Sequence, residues 1–418
     1  MCLKEHRGAQ LRVFQLIGSS YGQVDAGYRW YETFSEWMKG EAGAMGFQLI
    51  PEGDKKGARM TADMGFVQGK NDLCVYYNPK TGLRVGAHVD DCMTRGKRHV
   101  TRKFWEDVAT RFAVKHWGFV EEGEPKVYCG MEVSKETKDG TTWYIMDQAR
   151  DIRQFLEDEQ MEAVRGVQSP MPEKNALRGG EPVTKEQHKW VRSTVGSLSY
   201  FAVTTQYPIA QAVNRVAQFL EKPTTATVTA IKRIMGYLAS NKDIRLRVPR
   251  VEGTTWDVFT DSDHAGDRLL GTTSRTGVII LCNGCPVHWR SNKQPVTSVS
   301  SAAAEIYALS EGVKDARLVM WCAEEMKITT VYPIQIGVDN AAGVSFQNST
   351  NMDTRLKGIF DLREEWVVEL RDMAVIKAVK ISTLVNVADI LTKCQPRGVI
   401  HKLMRCVSDR AAGIASRV

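Results

Sequence analysis

Four carboxylates in the C-terminal half of this chain stand at the ends of chain segments. Asp261 closes the apolar-rich run Trp256-Asp-Val-Phe-Thr-Asp, which reads as a strand ending in acid. Glu305 lies in Ser300-Ser-Ala-Ala-Ala-Glu-Ile-Tyr-Ala-Leu, the first turns of an expected helix. Asp339 ends the strand-like Ile334-Gln-Ile-Gly-Val-Asp, and Asp389 opens the short helical segment Ala388-Asp-Ile-Leu-Thr-Lys. Side chains at such ends can face a shared cleft instead of the core. Hydrolysing a phosphodiester needs an activated water on one side and a stabilised leaving alkoxide on the other, and two divalent ions can supply both. Mg²⁺ prefers hard oxygen ligands and keeps several waters, so a few carboxylates suffice; Mn²⁺ is the alternative ion. In this arrangement Asp261 would bridge both ions, Glu305 and Asp339 would hold one side, and Asp389 would complete the second ion's shell. Clustered acids repel one another, so the metal-free site is expected to be destabilised. Read singly, the four are capping and surface acids, with Asp389 an N-cap of its own short helix. Asp263, Asp267 and Glu311, close in sequence, read as solvated or helix-end charges.

The elements that must position these acids follow in a definite order. Strand Asp257–Asp261 precedes Gly277-Val-Ile-Ile-Leu-Cys and, after an Asn-Gly turn, Val287-His-Trp-Arg-Ser, which predicts a three-stranded antiparallel meander. A helix over about 301–326, strand Ile334–Val338, a helix over 341–347 and another over about 356–371 come next. Strand Val375–Ile381 and the acid-bearing segment Asn386–Lys393 close the region. The sum is a mixed five-stranded sheet with helices packed on it.

The whole chain has 418 residues, 43% of them hydrophobic and 25% charged, enough for two or three domains with real cores. A formal charge of +7 is a mild bias toward polyanions. Nine scattered cysteines, an odd number, point to a reducing setting, cytoplasmic or nuclear. Cys282-Asn-Gly-Cys285 has no second pair at zinc-site spacing and reads as a hairpin turn. The charged N-terminus carries no signal-type run and no stretch is long enough to span a bilayer, so neither secretion nor a membrane is expected.

Upstream, residues 25–37 space aromatics at helical intervals, and a Gly/Lys-rich loop follows at 53–57. Leu73 to Asp91 reads as two strands joined by Pro-Lys-Thr-Gly, ending in the adjacent acids Asp90 and Asp91. Adjacent acids in such a turn can hold a divalent metal, and a solvated turn is the other reading. Arg102 to Phe112 is helical in pattern, Val127 to Ser134 alternates as one strand, and 147–161 reads as a helix. Ser169-Pro-Met-Pro is a linker before three helical patterns, at 190–203, 209–220 and 225–239. Lys232 and Arg233 on the last offer backbone contacts or a solvated helix face.

Several blocks resemble the Pol polyprotein of copia-type retrotransposons. Thr260-Asp-Ser-Asp-His-Ala-Gly-Asp is similar to Thr-Asp-Ala-Asp-Trp-Ala-Gly-Asp, and His288-Trp-Arg-Ser-Asn-Lys-Gln-Pro to Ser-Trp-Arg-Ser-Lys-Lys-Gln-Pro. Ser300 to Glu311, Val338-Asp-Asn and Val387-Ala-Asp-Ile-Leu-Thr-Lys complete five ordered blocks that resemble the family's ribonuclease H domain. Gly22 to Tyr31 resembles the Tyr-Gly-Leu-Lys-Gln-Ala-Pro-Arg-Ala-Trp-Tyr block of the family's reverse transcriptase, and His88-Val-Asp-Asp its Tyr-Val-Asp-Asp box. Lys357-Gly-Ile-Phe-Asp-Leu-Arg departs from the family's Lys-His-Ile-Asp-Ile-Arg, and His264 stands where the family has tryptophan.

The resemblance implies an α+β/α/β chain: an N-terminally truncated reverse-transcriptase palm over 1–170 and a helical thumb or connection over 171–250. A ribonuclease H-like domain over 251–400 and a basic C-terminal tail over 401–418 follow. It implies that Asp261, Glu305, Asp339 and Asp389 are both catalytic and metal-binding, and that Asp90 and Asp91 belong to an incomplete polymerase site. The family's earlier palm acid has no counterpart in the roughly twenty residues before Gly22, so polymerase activity is expected to be lost. The expected partner is an RNA–DNA hybrid, read through phosphates and 2′-hydroxyls by Arg275, Arg290 and Lys293. Other parts of a retroelement polyprotein are further partners, and a cytoplasmic particle or the nucleus is the expected location. Three readings compete: an Mg²⁺-dependent ribonuclease H, a silent remnant that only binds nucleic acid or protein, and an integrase-type nuclease of the same fold. The third would ordinarily bring a His/Cys zinc module, which is absent from the sequence.

Overall fold

The computed structural model describes residues 26–40, 64–112, 114, 117–121, 123–161, 163–171, 173, 176–241, 244–266, 271, 273–340, 343–344 and 362–411. Expectations placed on 22–25, 53–57, Asp267, most of 341–347 and the Lys357 block lie outside these residues. The chain divides into two compact units, Met1–Trp117 with Cys322–Lys327, and Gly118–Trp321 with Ile328–Val418. The divisions expected at 170 and 250 do not coincide with this boundary.

In the first unit, helix α1 (Ala26–Lys39) is followed by strands β1 (Val67–Gln68), β2 (Val75–Tyr77), β3 (Arg84–His88) and β4 (Asp91–Arg95), an antiparallel meander in sequence order. Helix α2 (Arg98–Arg111) completes it. Phe34, Trp37 and Met38, spaced along one helical face, pack with Tyr76, Leu83, Val85, Phe104 and Val108. The Pro-Lys-Thr-Gly turn is held by Asn78, whose Oδ1 accepts from the Lys80 and Thr81 amides at 3.0 and 2.9 Å.

The second unit begins with β5 (Lys126–Tyr128), β6 (Met131–Lys138) and β7 (Thr141–Asp147). The single strand expected over 127–134 is instead a hairpin, because Cys129 (φ 49°) and Gly130 (φ 72°) turn the chain back so that Tyr128 faces Met131. Helices α3 (Ala149–Asp158), α4 (Lys185–Thr204), α5 (Ala210–Ala217) and α6 (Thr225–Ser240) follow. Their apolar faces meet around Ile152, Leu198, Ile209, Ile231 and Ile234, all fully buried. Thr184 and Gln187 form a capping box that fixes the start of α4. Strand β8 (Leu246–Pro249), unforeseen in the sequence, then joins β7 and completes a sheet of order β5-β6-β7-β8.

Strands β9 (Trp256–Asp263), β10 (Arg275–Cys282) and β11 (Cys285–Lys293) form the expected antiparallel meander. Helix α7 (Ser301–Glu325) leads to β12 (Ile334–Val338), parallel to β9, and helix α8 (Leu362–Asp372) leads to β13 (Ile376–Lys380), parallel to β12. The mixed sheet has the order β11-β10-β9-β12-β13. Its apolar runs are continuous because both faces are covered. Val258, Val278 and Ile280 pack toward α7 and α8 with Leu309, Val313, Val367 and Leu370. Phe259, Ile279 and Leu281 pack on the other side with Val387, Ile390, Leu391, Tyr207 and Leu246. Asn283 (φ 49°) and Gly284 (φ 79°) form the tight turn between β10 and β11, with Cys282 opposite Cys285, so the Cys-Asn-Gly-Cys run is a hairpin.

The last helix, α9 (Arg397–Ala411), starts before residue 401 and buries Ile400, Leu403 and Val407. The expected separate basic tail is therefore a docked amphipathic helix as far as Ala411. Among the described residues no helix is long and apolar enough to cross a membrane.

Candidate metal centre

Asp261 lies on β9, the middle strand of the five, where alternation would have turned it onto a covered face; it has no solvent exposure. Asp339 follows the last residue of the adjacent β12 and is half-buried. Asp389 sits in a 3-10 turn, Val387–Leu391, which crosses β9 and β10. This turn can lie so close because β10 carries Gly277 beneath it, in register with Asp261. A Cβ there would stand 2.9 Å from the Ala388 carbonyl oxygen and 2.7 Å from Thr392 Cγ2. The turn is pinned by Asn386, whose side-chain amide donates to the Thr260 carbonyl at 3.1 Å while its Oδ1 accepts from the Ala388 amide at 3.2 Å. One carboxylate oxygen from each of Asp261, Asp339 and Asp389 lies within 4.8 Å of the others.

Glu305 joins from the first turns of α7. The loop that delivers this helix is organised by buried Gln294, which donates to Thr276 Oγ1 at 3.0 Å and to the Ala304 carbonyl at 3.1 Å. Burial, and then the charge of Asp339, push the Glu305 carboxyl up to about 7. Burial and the neighbouring Asp389 hold the Asp261 carboxyl well above the usual carboxylate range, and burial raises Asp389 as well.

Two further side chains complete the cluster. Lys393 donates to Asp261 Oδ1 at 3.1 Å and Asp389 Oδ1 at 2.8 Å, and the Thr392 hydroxyl donates to Asp261 Oδ2. Burial opposes the Lys393 charge, but the two carboxylates outweigh it and keep the ammonium charged. Neither residue was singled out from the sequence. The available signal was spacing, since Lys393 stands four residues beyond Asp389.

The donor set fits a divalent cation. It consists of hard carboxylate oxygens gathered at close range, and a cation is already attracted between two of them. Asp261, Asp339 and Asp389 would hold such an ion, with Glu305 beside them.

The expected nucleic-acid contacts fare differently. Arg275 is only 6% exposed and donates to Asn214 Oδ1 of α5 and to Ser291 Oγ at 3.2 Å, because its end of β10 runs beneath that helix. Arg290 is engaged by Glu311 at 2.7 Å and Asp315 at 2.5 Å. Glu311, expected as a solvated acid, is thus a buried partner on α7. Lys293 is exposed and lines a polar cleft with Gln211, Arg215, Asp263 and Thr392, alongside the acids. Asp90 and Asp91 are exposed at the β3–β4 turn, and among the described residues no third metal-ligating side chain gathers with them.

No protein-family profile matches the chain. Over 409 residues it is 27% identical to the retrovirus-related Pol polyprotein from transposon TNT 1-94 of Nicotiana tabacum, covering 94% of this chain and 28% of that one. It is 27% identical over 335 residues to the corresponding polyprotein from transposon RE1 of Arabidopsis thaliana, covering 79% and 22%. Secreted RxLR effector protein 161 of Plasmopara viticola is 35% identical over 124 residues, 30% of this chain and 87% of that protein. Among solved structures, LC11-RNase H1 in complex with an RNA/DNA hybrid aligns with 33% of this chain and 94% of that chain, at 18% identity and a TM-score of 0.26. A mixed sheet flanked by helices, carrying an acidic cluster at its centre, defines the class of the C-terminal part. Over most of its length the chain is similar to the Pol polyproteins of copia-type transposons, and it spans about a quarter of the length of the first relatives it matches.

Proposed function

We propose that the C-terminal part is a ribonuclease H-like nuclease that cleaves RNA within an RNA–DNA hybrid, using divalent cations, Mg²⁺ foremost, held by Asp261, Glu305, Asp339 and Asp389. The observation that carries this reading is the convergence of Asp261, Asp339 and Asp389, far apart in sequence, to within 4.8 Å. Bound divalent cations supply an activated water and neutralise the charge that develops on the cleaved phosphate. The chain's own residues do the placing: Asn386 and Gly277 set the height of Asp389, Gln294 sets the start of α7, and the covered sheet keeps Asp261 from moving. Of the three basic residues expected to meet the hybrid, Lys293, at the edge of the adjoining cleft, is the exposed one. Kinship with Pol polyproteins supports both the hybrid as substrate and a life among other polyprotein parts, in a cytoplasmic particle or the nucleus. Polymerisation is outside the proposal, since Asp90 and Asp91 gather no third acid among the described residues.

The test is incubation of the full chain with a labelled hybrid, with and without Mg²⁺, beside the variant Asp261→Asn. Cation-dependent cleavage that the variant loses supports the nuclease. Hybrid binding with no cleavage at any cation concentration overturns it in favour of a silent remnant.

A further inference from the structure

Three carboxylate oxygens of the candidate metal centre are already in use. Asp261 Oδ1 and Asp389 Oδ1 both accept from the Lys393 ammonium, and Asp261 Oδ2 accepts from Thr392. An ammonium and a divalent cation drawn to the same two oxygens compete for them, because their charges repel at that range. The lysine is well placed to yield. It follows the 3-10 turn instead of lying inside it, and about a third of its side chain (32%) is exposed. Its four-carbon stem is flexible and its ammonium hydrates readily, so an exit toward water is open to it.

We propose that Lys393 is an intramolecular counter-ion that occupies the acidic cluster in the cation-free protein and must swing out before a divalent cation can bind. The proposal rests on the metal-centre reading above. The residue has two effects of opposite sign. It neutralises like charges that would otherwise drive Asp261 and Asp389 apart, so the fold survives without metal. It also competes with the cation, and the apparent affinity is the intrinsic affinity multiplied by the fraction of molecules in which the lysine has left. Lys393 is thus a positioning residue that sets the cation concentration at which the site fills.

The experiment is calorimetric titration of the full chain with MnCl₂, together with melting curves in chelator, for the wild type, Lys393→Gln, Lys393→Arg and Asp261→Asn. Lys393→Gln is expected to bind Mn²⁺ about fivefold more tightly, the size expected of losing one partly exposed ion pair as competitor, and to melt lower without cation. Lys393→Arg, which grips carboxylates more firmly, is expected to bind Mn²⁺ more weakly than the wild type. Equal or weaker binding in Lys393→Gln overturns the proposal; if that variant does not fold, equal or tighter binding in Lys393→Arg does so. A wild type that binds no Mn²⁺, or binds it no better than Asp261→Asn, overturns the metal-centre reading and this proposal with it. Wild-type binding abolished in Asp261→Asn but unmoved by either lysine variant overturns the lysine's role alone.

Discussion

The Asn386 side chain reaches the Thr260 carbonyl at 3.1 Å across 126 positions of sequence, and so ties the segment bearing Asp389 to the strand bearing Asp261. Both groups are buried. Replacing Asn386 with alanine leaves a buried carbonyl without its donor and removes the cap on the Ala388 amide. The expected cost is about 1–3 kcal/mol of stability by urea denaturation. Hybrid cleavage is expected to fall further than the loss of folded protein accounts for, because the last acid loses its anchor.

Gly277 offers a second test without touching an acid. Alanine there would put a methyl group 2.9 Å from the Ala388 carbonyl and 2.9 Å from Leu391 Cβ, and the 3-10 turn must rise to admit it. An overpacking cost of about 1–3 kcal/mol is expected. The apparent cation affinity should weaken with it. Wild-type Mn²⁺ binding in a folded Gly277→Ala would mean that the turn tolerates displacement.

A third prediction concerns pH. The Glu305 carboxyl is raised from an ordinary 4.5 to about 7, so the folded protein holds a proton there that the unfolded chain releases earlier. Its contribution to stability is fully present below the ordinary value and is lost as pH rises through about 7. The melting temperature in chelator should therefore fall between about pH 5 and pH 8, and Glu305→Gln should flatten that fall. Cation affinity should climb across the same window, since ligation requires the ionised carboxylate. A wild-type slope equal to that of the variant would contradict this account.

Arg290 and Lys293 should separate cleanly. Arg290 satisfies Glu311 and Asp315 on α7, so Arg290→Ala is expected to cost about 1–3 kcal/mol and leave the salt dependence of hybrid binding unchanged. Lys293→Ala should change stability by no more than about 0.5 kcal/mol and reduce the slope of log affinity against log salt by about one. The reverse pattern would restore Arg290 as the phosphate contact.

The difference between these two residues marks what the sequence reveals. The order of strands was legible because Val278-Ile-Ile-Leu and Ile334-Gln-Ile-Gly-Val are apolar runs bounded by turns, and Asp339 stands where the second of them stops. Val127–Ser134 misled because alternation continues through Cys129 and Gly130, where only the backbone's positive φ reverses the chain. Leu246–Pro249 was missed because its partner, β7, precedes it by four helices. Arg275 and Arg290 resemble surface charges on their own strands. Their burial depends on α5 and α7, elements whose docking no local pattern encodes. Lys393 went unassigned for a related reason, since its role exists only once Asp261 is brought beside it.

The five-stranded sheet does not own the whole of its covering. Tyr207, before α5, and Leu246, on the strand that completes the other sheet, pack against Phe259 and Leu281, and the Trp289 indole donates to the Ala202 carbonyl at 2.7 Å. A C-terminal fragment excised at residue 251 would surrender these neighbours and present a greasy, half-dressed flank to water. The helices between the two sheets are therefore cargo that the five-stranded sheet must carry along, unless another surface cut to the same shape replaces them.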